Sequence, residues 1–433
     1  MTTGIAGAPP RRAEAVRPVT TVELVAWLAT LGMLLLYSQS WEVPVFGETV
    51  DVSEGALVRT LYIPAYLVGL FLVGLKPGAT FAGFVRQPFL IAILCIVCAS
   101  YFWSISPDQT TRRAVAVVLT TICGVAIGAR WRWAALAETL AVIFGVLAIA
   151  SLLAGIFLPS IGRMSNTFPG SWRGLWLEKN IFGDEMSLAL LVFAAAGTLR
   201  PERKRLWYSL AVIAFGLIFA STSKTSLVAV TLGFAVFCLV LVVRRGGTLA
   251  VMASYGAVVM LIALGAVVLL APDMLLGLLG KDATLTGRTQ IWAAVMRQIQ
   301  QRPVLGYGYG AVWTDDSGWG PLAWIIKQAG FRPDHAHNSW LEQWLGMGYW
   351  GLGAWALYYL MTMARAIAAM FRSNGALVAL PFLVVYTLTT LTESVAVSYN
   401  DMRWVIFVAF SVRLALPGGE PVSPPSGVRL QQQ

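Results

Sequence analysis

Apolar runs alternate with short polar breaks along almost the whole chain, from about residue 22 to residue 416. A helix rises about 1.5 Å per residue, so about 20 apolar residues cross a hydrocarbon core about 30 Å thick. Reading the runs between their breaks predicts twelve spanning helices, near 22–39, 56–75, 88–103, 113–129, 134–158, 185–199, 206–221, 225–243, 249–272, 341–363, 376–391 and 403–416. The expected fold class is therefore an all-α polytopic membrane protein. It would comprise an N-terminal cytoplasmic segment (1–21), nine spans (22–272), a long periplasmic loop (273–340), three further spans (341–416) and a cytoplasmic tail (417–433). The tail is rich in Pro, Ser and Gly and is expected to be disordered. Within the long loop, "IWAAVMRQIQQ" reads as a short amphipathic helix ended by Pro303.

Charge orients this frame. Breaks on one side, such as "KPGATFAGFVRQ", "ARWRW", "LRPERKR" and "RRGG", are short and basic. The opposite side includes "SWEVPVFGETVDVSEG", which holds Glu42, Glu48, Asp51 and Glu54 and neither Lys nor Arg. The positive-inside rule then puts both termini in the cytoplasm and the long loop outside. Composition agrees: 58% of residues are hydrophobic, 12% are charged and the mean hydropathy is +0.71, against about a quarter charged in soluble domains. A net charge of +10 would suggest nucleic acid in a soluble protein. Here the basic residues sort by membrane side, so nucleic acid is not an expected partner. Cys95, Cys98, Cys123 and Cys238 all lie in apolar runs and are expected to be buried small side chains, not disulfides or metal ligands. No small-residue cleavage site follows Arg11, Arg12 and Arg17, so the first helix is read as uncleaved.

The conspicuous polar motifs fall on one side of this topology. They are "WSISPDQTTRR", "SWRGLWLEKN", "STSKTS", "LTGRTQIW" with the following "RPVLGYGYGAVW", and "DHAHN"; Glu393 joins them in the last outer break. Scattered polar residues without a shared purpose would populate both faces. Lys224 stands in a break only a few residues long, where an unpaired charge costs several kcal/mol. It either snorkels to the headgroups or, with Ser221, Thr222, Ser223 and Thr225 beside it, lines a polar pocket. Arg288 opens the amphipathic helix and is either a solvated loop charge or a fork for two oxygens of a phosphate or carboxylate. Arg173 and Lys179 are loop charges, which are cheap to hold in water.

The chain has two histidines, His335 and His337, and they are two positions apart. With Asp334 they supply too few ligands for a closed zinc site, and no metal is expected. A pH sensor and a general base remain; a neutral imidazole suits removal of a hydroxyl proton near neutral pH. Asn338 or a nearby carboxylate would fix its tautomer, and the helix beginning just after it would favour a developing anion. "GYGYG" (Gly306–Gly310) has no following Lys-Ser/Thr and is read as a tight backbone turn, not a nucleotide loop.

The ordered set "WRGLWLEKN", "STSKT", "LTGRTQIW…RPVLGYGYG" and "HAHNSWLEQWLGMGYWGLG" resembles the O-antigen ligase / Wzy polymerase superfamily of bacterial membrane glycosyltransferases, from about Trp103 to Glu393. Lysine at position 224, in "SKT", looks more like its exopolysaccharide-polymerase (ExoQ-like) branch. The resemblance implies a GT-C-like inner-membrane enzyme, inverting and metal-independent, without a cofactor and with a periplasmic site. Its partners would be an undecaprenyl-diphosphate-linked glycan donor, a glycan acceptor and a chain-length regulator. The family's functional residues correspond to Lys224, Arg288 and His337, with Arg173, Lys179, Asn180, His335, Asn338 and Glu393 expected to bind substrate around them. Three functions compete: a polymerase of lipid-linked repeats, a ligase to lipid A-core or another acceptor, and a transporter. Transporters place ionisable residues near the midplane, and here the charges gather at the outer surface.

Overall fold

Each of the twelve apolar segments is helical in a computed structural model of the chain, which describes residues 20–47, 56–165, 168–270, 288–315 and 317–417. The N-terminal segment before residue 20, the part of the long loop at 271–287 and the tail after residue 417 lie outside the described residues, and with them the expectation of a disordered tail. The main helices are α1 (Thr21–Tyr37), α2 (Ile63–Leu75), α3 (Pro77–Val85), α4 (Pro88–Ala99), α5 (Pro107–Arg130), α6 (Trp133–Phe157), α7 (Lys179–Leu199), α8 (Lys204–Ser221), α9 (Lys224–Arg245), α10 (Gly247–Leu270), α11 (Arg288–Gln301), α12 (Pro321–Ala329), α13 (Ser339–Ala369), α14 (Gly375–Thr392) and α15 (Met402–Ala415). Among the described residues there is no strand, only the isolated bridge between Arg163 and Trp172.

Seven helices are long and apolar enough to cross a membrane, or eight if α3 and the Pro88–Trp103 helix count as one span bent by 86°. The bend falls at Gln87, where Pro88 starts the new helix; the residue before a proline is pushed out of the helical region. The remaining expected spans depart from the length-and-hydropathy pattern for visible reasons. α1 has 17 residues and α15 has 14. α13 carries Glu342 and Arg365 and is broken at Gly348. α15 is buried almost throughout, Arg403 and Arg413 included, because it runs through the middle of the bundle against α5, α13 and α14. Trp404, Phe407 and Phe410 of α15 meet Trp355, Tyr358, Phe382 and Tyr386 there. Cysteine burial differs from expectation: all four are free, and Cys123 is buried while Cys95, Cys98 and Cys238 lie on exposed helix faces. Alternate faces of a spanning helix point to lipid, where a thiol is as acceptable as in a core.

Two irregular backbones are held inside the bundle, and both lead to the site. At Gly348 the chain adopts φ 64°, and an added Cβ would collide with the Val304 carbonyl. The carbonyls freed by this kink are taken up by the glycine-rich turn: Tyr307 N donates to Leu345 O at 3.0 Å and Gly308 N to Gly346 O at 2.9 Å. Gly306, Gly308 and Gly310 all have positive φ, the tight turn that "GYGYG" predicted. The second irregular stretch, residues 393–401, joins α14 to α15. Its backbone is satisfied by side chains: the Ser339 hydroxyl accepts from Val395 N and Ala396 N, Gln343 donates to Ala396 O, Tyr386 to Val395 O, Tyr309 to Val397 O and Gln39 to Asn400 O. Non-helical backbone away from water requires such substitutes.

Candidate active site

Glu393 follows the last residue of α14 and is the hub of one polar cluster. Its Oε1 is 2.6 Å from Arg288 Nη2 and its Oε2 is 2.9 Å from His337 Nδ1; Arg288 Nη1 also donates to the Thr392 carbonyl. Burial on its own would raise the Glu393 carboxyl, but the hydrogen bond from His337 and the Arg288 charge outweigh it and hold the group at about 2. Glu393 is thus an ionised anchor that orients a guanidinium and an imidazole at once. With Nδ1 engaged as the donor, Nε2 of His337 is left as the basic nitrogen.

The histidine turn is fixed from several sides. Trp292 Nε1 donates to Ala336 O at 2.9 Å, and Ala336 N donates to Glu342 Oε2 at 3.0 Å. Glu342 also accepts from Ser394 at 3.2 Å and from Trp313. His337 adopts φ 48°, a left-handed conformation uncommon for residues other than glycine. That turn brings the His337 backbone N–H to 3.1 Å from His335 Nδ1 and the two rings to 4.0 Å between centroids. His335 accepts a hydrogen bond at Nδ1, as a neutral ring does; burial, then the neighbouring His337, push it down to about 3. Of the two groups expected to fix the His337 tautomer, Asn338 or a nearby carboxylate, the carboxylate is the one in contact with the ring. Asn338 Oδ1 caps α13 by accepting from Trp340 N and Leu341 N, while Glu393 fixes the His337 tautomer.

Lys224 and Lys179 form a second cluster. They are the first residues of α9 and α7, and burial, then the Lys224 charge, lower the Lys179 ammonium. Lys179 Nζ donates to Thr222 Oγ1 at 3.2 Å and sits 3.7 Å from the centroid of the Phe168 ring. Thr222 is left-handed at the end of α8, 2.9 Å from Ser171 Oγ. Ser223 caps α9 and donates to Asn180 Oδ1 at 3.0 Å. Two helix N-termini and two ammonium groups thus share one corner, the arrangement that favours an anion. Arg173 is 2% exposed, and its Nε and Nη2 donate to the carbonyls of Ile161 and Ser160 at 2.7 and 2.8 Å.

Glu178 was missed by the sequence reading and lies at the seam. It precedes Lys179 at the head of α7, and its side chain makes no capping bond. Burial and then the Glu393 charge raise it, while His337 and Arg288 pull it down, so it feels the charges of the Glu393 cluster. The available signal was its place in "LEKN", an acid set directly against the two residues that contact Thr222 and Ser223.

The ligand atoms of His335, His337 and Glu393 lie within 4.8 Å of one another, so the third member of the histidine group is Glu393, not Asp334. A cation there would compete with the Arg288 guanidinium for the same carboxylate and with the hydrogen bonds at both Nδ1 atoms. That donor set suits an oriented base better than a metal.

Residues 209–356 match the O-Antigen ligase (Wzy_C) family, a stretch that contains Lys224, Arg288, His335, His337 and Asn338. The exopolysaccharide production protein ExoQ of Rhizobium meliloti (strain 1021) is 26% identical over 276 residues, which cover 61% of this chain and 61% of the length of that relative. With the ordered motifs now on a helical membrane scaffold, the chain is similar to the O-antigen ligase family over residues 209–356 and to the ExoQ exopolysaccharide production protein over 61% of its length.

Proposed function

We propose that the protein is a glycosyltransferase that polymerises undecaprenyl-diphosphate-linked oligosaccharide repeats into exopolysaccharide or O-antigen at the periplasmic face of a bacterial inner membrane. The observation that carries this reading is the single carboxylate, Glu393, joining Arg288 and His337 beside a corner with two lysines. An acceptor hydroxyl attacks C1 of the donor sugar from the face opposite the leaving group. The new C1–O bond forms as the bond from C1 to the diphosphate oxygen breaks, inverting C1. His337 Nε2 takes the hydroxyl proton and Glu393 stabilises the resulting imidazolium. Lys224 and Arg288 offset the charge that develops on the diphosphate, with Lys179 and the N-termini of α7 and α9 contributing. His335 orders the His337 backbone, Asn338 starts the helix behind it, Asn180 ties the two lysine-bearing helices, and Arg173 braces the loop that leads into α7.

Similarity to an exopolysaccharide production protein supports polymerisation; the name of the matched family supports the ligase as a second reading. Purified protein given lipid-linked repeat alone separates them. A product ladder supports the polymerase, product formed only with a second acceptor supports the ligase, and no glycosidic bond under either condition overturns both.

A further inference from the structure

Below the lysine corner, a line of buried oxygens runs from α7 to α9. Asp184 Oδ1 is 2.8 Å from Ser226 Oγ, Ser226 Oγ is 2.8 Å from Ser223 Oγ, and Ser223 Oγ is 3.0 Å from Asn180 Oδ1. Asp184, Ser223 and Ser226 are 3%, 2% and 0% exposed. Three contacts between oxygens need three protons, and the two serine hydroxyls supply two. The third fits on Asp184: its carboxyl donates to Ser226, Ser226 to Ser223, and Ser223 to Asn180. An ionised Asp184 closes the same line only if the Asn180 amide is turned so that its nitrogen donates to Ser223.

Charge decides between the two. The charged groups facing Asp184 are Glu185 beside it, Arg403 of α15, and Glu393 with Arg288 at the head of the site. Arg288 is committed to Glu393 at 2.6 Å, and Arg403 to Asp401 at 2.6 Å with Glu185 at 3.7 Å. Arg403 thus holds Asp401 and reaches Glu185, and among the described residues no ion pair to Asp184 is found. Among the described residues a single neutral hydroxyl is the hydrogen-bond partner of Asp184, too little to solvate a buried anion.

We propose that Asp184 is a positioning residue that carries a proton and donates the first hydrogen bond of a relay through Ser226 and Ser223 to Asn180, which aims the head of α9, and Lys224 on it, at the substrate diphosphate. The proton stays on Asp184 throughout, and the relay acts by geometry. The assignment to a diphosphate rests on the function proposed above; the protonation does not.

The test uses the full chain, purified, with two readouts. Infrared difference spectra at neutral pH between the parent and Asp184→Asn should show a protonated-carboxyl band lost in that variant and kept in Glu185→Gln. In transfer assays Asp184→Asn, whose amide can still donate to Ser226, should stay within about threefold of the parent, while Asp184→Ala should lose about tenfold or more, expressed in donor KM before kcat. Ser226→Ala, which cuts the relay without touching the acid, should match Asp184→Ala and stands in for it if that variant does not fold. Absence of the band, or equal loss in Asp184→Asn and Asp184→Ala with matching melting temperatures, overturns the proposal. If the protein transfers no glycan to any acceptor, the proposed function fails, and the band still decides the protonation of Asp184.

Discussion

The two corners of the site handle charge in opposite ways. Around Glu393, opposite charges are paired and cross-braced: a carboxylate holds a guanidinium and an imidazole, and a second carboxylate, Glu342, pins the histidine turn through Ala336 N, Trp313 and Ser394. Around Lys224, like charges stand together, Lys179 contacts a hydroxyl and a ring face, and the bracing beneath is made of hydroxyls and an amide. On the proposed function, the first corner would fix a base before substrate arrives, and the second would hold cationic charge for the anion that enters. A single network serving both ends would have let its carboxylates neutralise the lysines; the separation keeps the two tasks independent.

That division can be broken from the base side first. His337→Ala is expected to lower transfer by about 10²- to 10⁴-fold, the range for a general base, with the protein still present in the membrane. Polymer of normal length from cells carrying this variant would sink the mechanism. Glu393→Gln should come next, about 10²-fold, and mainly in kcat, because it releases Arg288 and leaves His337 free to adopt the wrong tautomer. From the lysine side, Lys224→Ala should raise donor KM and lower kcat together, by about tenfold in kcat/KM, because Lys224 holds the diphosphate and offsets its developing charge, and Lys224→Arg should recover most of it, since a guanidinium also binds phosphate oxygens. If Lys224→Ala lowers kcat at saturating donor and leaves KM unchanged, the two corners are not independent.

The smallest effect concerns stability against pH. His335 titrates near 3 in the folded chain, below about 6.5 in an unfolded one. Between those values the unfolded chain binds more protons, so stability falls as pH drops through that window. Glu393, held at about 2 against about 4.3 unfolded, adds a loss of the same sign below about pH 4. His335→Asn should flatten the upper part of this acid limb, between about pH 6.5 and 4, in melting scans; an unchanged slope there refutes the assignment.

Much of this was legible in the sequence where a residue was chemically out of place. Two histidines side by side, a lysine in a break a few residues long and an arginine opening an amphipathic helix all stand out against apolar surroundings, and the structure brings His335, His337, Arg288 and Glu393 within contact of one another. Glu178 was hidden because an acid next to Lys179 in a loop resembles an ordinary solvated pair. The span expected near 185–199 is a helix that begins at Lys179, and those extra residues carry Asp184 and Glu185 into the bundle. Nothing in the apolar run 403–416 marks its helix as central; only tertiary packing reveals that α15 is buried almost throughout. Arg173 shows the converse, a charge whose value depends on carbonyls twelve and thirteen positions away in sequence, which no local pattern encodes.

The buried stretch 393–401 has a consequence for biosynthesis. Its hydrogen-bond partners come from Gln39, Tyr66, Thr120, Tyr309, Ser339, Gln343 and Tyr386, all of which leave the ribosome before it does. The segment is therefore a keystone: it is synthesised after the cavity it fills, and Glu393 reaches Arg288 and His337 only once it is seated. A chain stopped after Thr392 would carry nearly every span and both histidines, yet leave several buried donors and acceptors empty at about 1–3 kcal/mol each. An activity that needs Glu393 would therefore report completion of the last loop.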